Sequence, residues 1–161
     1  MVALGFTKNR RFCGGFTMVE LILVMVIAGI LAAVAVPRLI GRSSFDTRGF
    51  ADQLAATVRF AQKLAVAQRR DVFVQLTASD ATLCYIATAP CPAASRAPGP
   101  GGEKPYTVSA PGGVAIASPV AALDIDAGGR PVNIAAQLDI QVNGSGTHHV
   151  FVERETGYVH D

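Results

Sequence analysis

The sequence predicts an α+β chain in which one long N-terminal helix, apolar first and amphipathic after, packs on antiparallel β-sheet. Three observations predict it. Leu21–Val36 holds no charged or polar side chain. Phe50–Arg70 repeats apolar residues at helical spacing. From Asp71 onward the chain breaks into short apolar runs separated by glycine, proline and asparagine turns. A long helix followed by many short strands is the pattern of a helix laid over sheet.

The first element begins after a short basic segment. Met1–Gly15 carries Lys8, Arg10 and Arg11 and no acidic residue. It has no apolar core of its own, so it does not read as an ordinary secretory leader. Extended back to Phe16, the apolar run is long enough to cross a bilayer, which takes about 20 residues at roughly 1.5 Å each. The basic cluster ahead of it orients the helix with its N-terminus in the cytoplasm and everything after Pro37 outside. The single ionisable group is Glu20. A carboxylate inside such a helix costs roughly 2.5–3.5 kcal/mol on insertion scales, so it marks a function. A plain single-pass anchor is the alternative, and it leaves Glu20 without a purpose. Pro37 lacks a backbone N–H and is expected to kink or end the helix. Gly41 and Gly49 each weaken helix by about 1 kcal/mol relative to alanine, so residues 38–49 read as a flexible joint.

The second helix is expected over Phe50–Arg70, the start of a domain running from 50 to 161. Phe50, Leu54, Val58, Ala61 and Ala65 form its apolar stripe, with Leu64 alongside. Arg59, Lys63 and Arg70 fall on another face, with Arg69 adjacent. This reads as the solvated side of a helix packed on sheet, or as a contact to an anionic surface or a neighbouring subunit. Strands are expected at Val72–Leu76 and, after a turn at Ser79-Asp80, at Leu83–Ile86. Ala87–Pro105, rich in proline, glycine and alanine, should be an exposed irregular loop. Further strands are expected at Tyr106–Val108, Val114–Ile116, Leu123–Ile125, Leu138–Val142, His149–Val152 and Tyr158-Val159. Asp126–Pro131 is a turn, and Asn143–Gly146 is a hairpin turn because asparagine and glycine tolerate positive φ.

These residues resemble a known family. The basic leader, Gly15, Phe16-Thr17-Met18-Val19-Glu20, the apolar run and then Pro37 are similar to the N-terminus of type IV prepilins and type II secretion pseudopilins. The resemblance implies cleavage by prepilin peptidase between Gly15 and Phe16, and N-methylation of Phe16. It implies that Glu20 brings a new subunit into the growing filament. The leader is then 1–15, and 16–37 is the transmembrane and filament-core helix. The partners implied are major and other minor pilins or pseudopilins, an inner-membrane assembly platform and the membrane itself. The domain lies in the periplasm before it enters the filament. Gln68–Val72, Asp124–Pro131 and Glu155–Val159 resemble the GspH/FimT group, and within it the minor pilins of mannose-sensitive haemagglutinin (MSHA) type systems. The implied fold is pilin-like, and the implied role is to initiate assembly or form a tip. A GspH-like secretion pseudopilin and a FimT-like DNA-binding pilin are the alternatives. Some FimT-like members bind DNA through a C-terminal Gly-Arg-x-Arg, where this chain reads Gly157-Tyr158-Val159-His160.

Composition agrees with a non-enzymatic, non-nucleic-acid-binding chain. Three of the fourteen basic residues lie in the leader, leaving eleven against twelve acidic, and DNA is not an expected partner. Of three cysteines, Cys13 leaves with the leader. Cys84 and Cys91 face an oxidising compartment, so a disulfide is expected, with two free thiols as the alternative. Neither a catalytic constellation nor a cofactor motif is present. His148 and His149 are adjacent on a strand and point to opposite faces. His160 sits near the terminus, where order is not expected. Gly99–Pro105 fails the phosphate-loop pattern. Asp124 and Asp126 share a strand face and read either as solvated carboxylates or as part of a calcium site. No metal site is assigned.

Overall fold

The computed structural model describes residues 17–40, 42–102 and 105–161, with side chains at 17–33, 44–102 and 105–161. The chain divides into two units, Met1–Ile40 and Gly41–Asp161. In the first, helix α1 runs Met18–Ile40. Thr17 caps it: its Oγ1 accepts the Glu20 amide at 3.2 Å, and its carbonyl accepts the Leu21 amide at 3.1 Å. The cap satisfies a donor that no earlier turn can satisfy. Pro37 does not end the helix, which continues to Ile40. Proline removes one backbone donor, and the bonds on either side carry the ladder past it.

In the second unit, helix α2 spans Arg42–Gln68. It therefore starts well before Phe50, and residues 42–49 of the expected joint are helical; Gly41 lies outside the described residues. Tertiary contact explains the extra turns. Thr47 is fully buried and lies under a hairpin tip, so close that a β-carbon on Gly144 would collide with it. The stripe Phe50, Leu54, Val58, Ala61 and Ala65 is buried throughout, and Leu64 packs at its edge. The helix stops at Gln68, short of the expected Arg70. Arg69 takes φ +50°, and the Arg70 amide reaches the Ala65 carbonyl at 3.2 Å, the six-to-one bond of a Schellman closure.

Among the described residues, eight strands form two four-stranded antiparallel sheets. The first has the order β3-β2-β1-β5, with β1 Val72–Leu76, β2 Asp80–Cys84, β3 Thr107–Ser109 and β5 Ala122–Ile125. The second has the order β4-β6-β7-β8, with β4 Ala115–Ala117, β6 Gln137–Asn143, β7 Thr147–Glu153 and β8 Val159–His160. Alternation puts Val72, Val74, Ala81, Leu83, Leu123 and Ile125 of the first sheet inward, and Leu138, Ile140, Val142, Val150 and Val152 of the second. All join one core with the α2 stripe.

The first hairpin and the long loop differ from expectation. The β1–β2 turn lies at Thr77–Ser79, because Thr77 Oγ1 accepts the Asp80 amide at 2.8 Å and lets Asp80 open the strand. Tyr85 and Ile86 leave β2, since the Tyr85 amide pairs with the Ser95 carbonyl at 2.8 Å. Ala87–Pro105 is not wholly exposed. It contains a short 3-10 helix, Ala93–Ser95, and folds back so that the Ala97 amide meets the Leu83 carbonyl at 3.0 Å. Ala97 is completely buried. Cys84 and Cys91 are joined by a disulfide, their α-carbons 6.0 Å apart.

Buried and exposed side chains of α2 should respond differently to truncation. Leu54→Ala empties a site in the core and should cost about 2–5 kcal/mol. Phe45→Ala, at a side chain 80% exposed on the same helix, should change stability by no more than about 0.5 kcal/mol. Denaturant unfolding of the detergent-solubilised full chain measures both, and similar losses at the two sites would refute this placement of the core.

Candidate functional site

The start of α1 brings a carboxylate to an apolar helix. Thr17 and Glu20 stand as N-cap and third helical residue, the spacing of a capping box, and the Thr17 side chain makes its half of it. The sequence shows this as Thr-x-x-Glu ahead of an apolar run, a helix-start signal separate from any assembly role of Glu20. Glu20 lies in the first turn, where the helix dipole favours negative charge. Every described side chain from Met18 to residue 33 is exposed, Met25 at 67% and Leu31 at 64%. Among the described residues no helix is long and apolar enough to cross a membrane; side chains of α1 are described only to residue 33, while the apolar run of the sequence continues to Val36. Gly15 and Phe16 lie outside the described residues, and Pro37 is described only in its backbone.

A second cluster forms where loops dock on the last turns of α2. Gln62 Nε2 donates to the Gly157 carbonyl, and Arg59 Nη2 donates to the Val159 carbonyl at 2.9 Å. Gly157 has φ +68°, and a β-carbon there would lie 2.8 Å from both Gln62 Nε2 and the Gly129 carbonyl. Only glycine meets both demands. Two separate motifs of the sequence, Asp124–Pro131 and Glu155–Val159, thus converge on one helix face. Arg59 is not simply solvated, since it holds the edge of β8. Nor do the basic residues form one stripe: Arg70 has left the helix, and its guanidinium lies 3.8 Å over the Tyr85 ring.

The two carboxylates of this region differ in role. Asp126 Oδ1 accepts the amides of Gly128 and Arg130 at 2.9 and 2.8 Å, and Oδ2 lies 3.8 Å from Arg130 Nη2. It builds the turn rather than a calcium site. Among the described residues, Asp124 Oδ1 is buried without a hydrogen-bond partner. Burial first, then the neighbouring Asp71 and Asp126, push its carboxyl above the ordinary range.

His149 and His160 occupy the outer face of the second sheet, while His148 alternates to the side of Val150 and Val152. His149 Nδ1 lies 2.9 Å from Asp139 Oδ1, and His160 Nε2 lies 3.3 Å from Glu153 Oε1. His160 is ordered in β8, because its ring packs on Phe151 and Tyr158, each 5.3 Å away between centroids. His149 stacks on Phe151 at 5.6 Å. These rings tie β8 to β7, a contact that the two-residue spacing of the aromatics in the sequence foreshadows only once the register is known.

Comparison with known proteins falls on the same elements. Residues 10–36 match the family model described as the prokaryotic N-terminal methylation motif. Over 58 residues the chain is 41% identical to the type IV narrow pilus major component PilA5 of Thermus thermophilus. That match takes in 36% of this chain and 50% of the relative, so the chain spans about half the length of the curated relative it matches. Two crystal forms of the Pseudomonas aeruginosa type IV minor pilin FimU superpose with TM-scores of 0.57 and 0.55 at 15% identity. They cover 73% and 70% of this chain and 88% and 90% of FimU. The α+β fold is pilin-like, a helix packed on antiparallel sheets.

Asp124 gives a pH test of this region. Its folded pKa lies above its unfolded value, near 3.8, so folding favours the protonated form. That favourable contribution is complete below the unfolded pKa and lost as pH rises through the folded one. Asp124→Asn, which cannot ionise, should be more stable than the parent chain at pH 7. Its advantage should shrink as pH falls towards about 4. Unfolding free energies of both across that range test it, and an advantage that grew on acidification would contradict the assignment.

Proposed function

We propose that this chain is a minor subunit of a type IV pilus-like filament, anchored in the inner membrane before assembly. The observation that carries the reading is α1: a capped helix with Glu20 in its first turn and an apolar surface exposed on every side. Such a surface is unstable in water, and both hydrocarbon and a bundle of like helices cover it. The basic residues ahead of it orient the helix with Met1 in the cytoplasm. Prepilin peptidase removes Met1–Gly15 and methylates Phe16. The periplasmic domain follows α1, and the subunit passes through an inner-membrane assembly platform to join major and other minor pilins.

Charge supplies the direction of assembly. A buried Glu20 carboxylate is costly unless a cation offsets it. The new amino group of Phe16 is that cation, first within the subunit and then across to its neighbour in the filament. Their attraction sets axial register as the apolar faces bundle.

The resemblance of Gln68–Val72, Asp124–Pro131 and Glu155–Val159 to GspH/FimT proteins favours a minor subunit, and the MSHA-type systems within that group are our assignment of pathway. It acts at the initiation of assembly or at the tip. A secretion pseudopilin differs only in the partners that surround it, so the neighbouring major subunit distinguishes the two. The absence of the arginine pair from Gly157–His160 argues against DNA uptake.

Glu20→Gln keeps the size of the side chain and removes its charge. It should leave leader removal intact, as read by the mass of the extracted protein, while reducing co-purification with the other pilins severalfold at equal membrane level. Unchanged incorporation would refute the pairing role, and an uncleaved parent chain in cells with a working prepilin peptidase would refute the family reading.

A further inference from the structure

The outer face of the first sheet carries an open groove of about 660 Å³. Strand register sets its floor. Thr107 lies opposite Thr82 on β2, and Thr82 opposite Gln75 on β1, so three polar side chains cross the sheet in one row. The two threonine hydroxyls meet at 3.0 Å. Gln75 is only 6% exposed, and its amide donates to the Thr88 carbonyl at 2.7 Å. Residues 89–91 of the long loop raise one wall, held there by the Cys84–Cys91 disulfide. Leu76 and Ala121 add apolar surface.

The two ends of the groove carry opposite charges. Asp80 opens β2, and Arg96 bridges to Cys84 at its other end. Four residues of strand separate the two rows, about 13 Å at roughly 3.3 Å per residue. The Asp80 carboxylate accepts the Ser79 and Ser109 hydroxyls at 2.6 Å each, and these bonds hold its pKa below the usual value. At neutral pH it is an anion. Arg96 donates from Nε to the Cys91 carbonyl at 3.2 Å. Among the described residues no carboxylate pairs with its guanidinium.

We infer that this groove binds an extended segment of another polypeptide, with a basic side chain at Asp80 and a carboxylate about four residues away at Arg96. Extended peptide has the same rise per residue as the strand beneath it, so charges four residues apart reach both ends. Its backbone meets the threonine hydroxyls of the floor. A nucleic acid would face Asp80 as a like charge. A carbohydrate would find no aromatic ring among the lining residues to stack on. The inference stands apart from the filament reading, since it concerns only the second unit.

Fluorescence anisotropy of the full chain in detergent, with a labelled, end-blocked five-residue peptide, tests it. The peptide carries lysine at one end and glutamate at the other, with alanine and threonine between. It should bind at least tenfold more tightly than the same peptide with glutamine at both ends. Arg96→Glu should abolish that preference and instead favour a peptide with lysine at both ends, a reversal that loss of folding cannot produce. Thr82→Val should weaken binding severalfold while leaving the thermal unfolding curve in place. Absence of binding, equal affinity for charged and neutral peptides, or binding of a uronic-acid oligosaccharide and no peptide would each overturn the inference.

Discussion

The second unit depends on the buried stripe of α2. Each sheet has one apolar face, and neither face is covered without the helix. Phe50, Leu54 and Val58 supply volume to a core that the two sheets share. Ala61 and Ala65, also fully buried, supply the opposite property. Small side chains there let the sheets come close to the helix axis, and on the neighbouring face Gly129 and Gly157 approach Gln62 and Val66. A β-carbon on Gly129 would lie 3.0 Å from the Val66 side chain, so a larger residue would push the turn off the helix. The closing strand β8 is then held from two directions, by Arg59 of α2 at the Val159 carbonyl and by Phe151 of β7 against the His160 ring, while Gln62 fixes the Gly157 turn before it.

The first unit has the same material without the solution. The apolar residues of α1 surround the helix rather than lining one side, and their described side chains are exposed. At about 25 cal/mol per Å² of apolar surface, a helix of this kind in water is strongly unfavourable. Lipid and neighbouring helices relieve that cost almost equally well, because lipid tails are as apolar as leucine. Apolar burial therefore does little to choose between membrane and filament. In our account the choice falls to the few polar terms, and Glu20 at the capped start of α1 is the term available on an otherwise apolar surface.

Much of this is legible in the residues. The apolar stripe of α2 can be read directly because helical periodicity reports burial, and β1 can be read to its ends because alternation does the same for strands. Where the sequence misleads, long-range contact decides. Residues 42–49 look like a joint until Thr47 is placed beneath Gly144. Ala87–Pro105 looks exposed until Ala97 pairs with Leu83. His160 looks frayed until Phe151 is beside it. Pro37 looks like a kink or a stop, and the helix runs on to Ile40. Asp126 looks like a solvated carboxylate, or part of a cation site, until its oxygens are seen to face its own turn. The Thr17 cap is visible as a motif, yet it is masked by the assembly role that Glu20 already suggests.

The central claim is that the exposed surface of α1 ends against other helices in a filament. A photo-crosslinking amino acid in place of Leu31, 64% exposed on that surface, tests it in cells that assemble the filament. Irradiated, sheared filaments should contain adducts between this chain and another pilin subunit, mapped by mass spectrometry to that subunit's N-terminal helix. Adducts to lipid alone, with none to a pilin in the sheared fraction, would contradict the account.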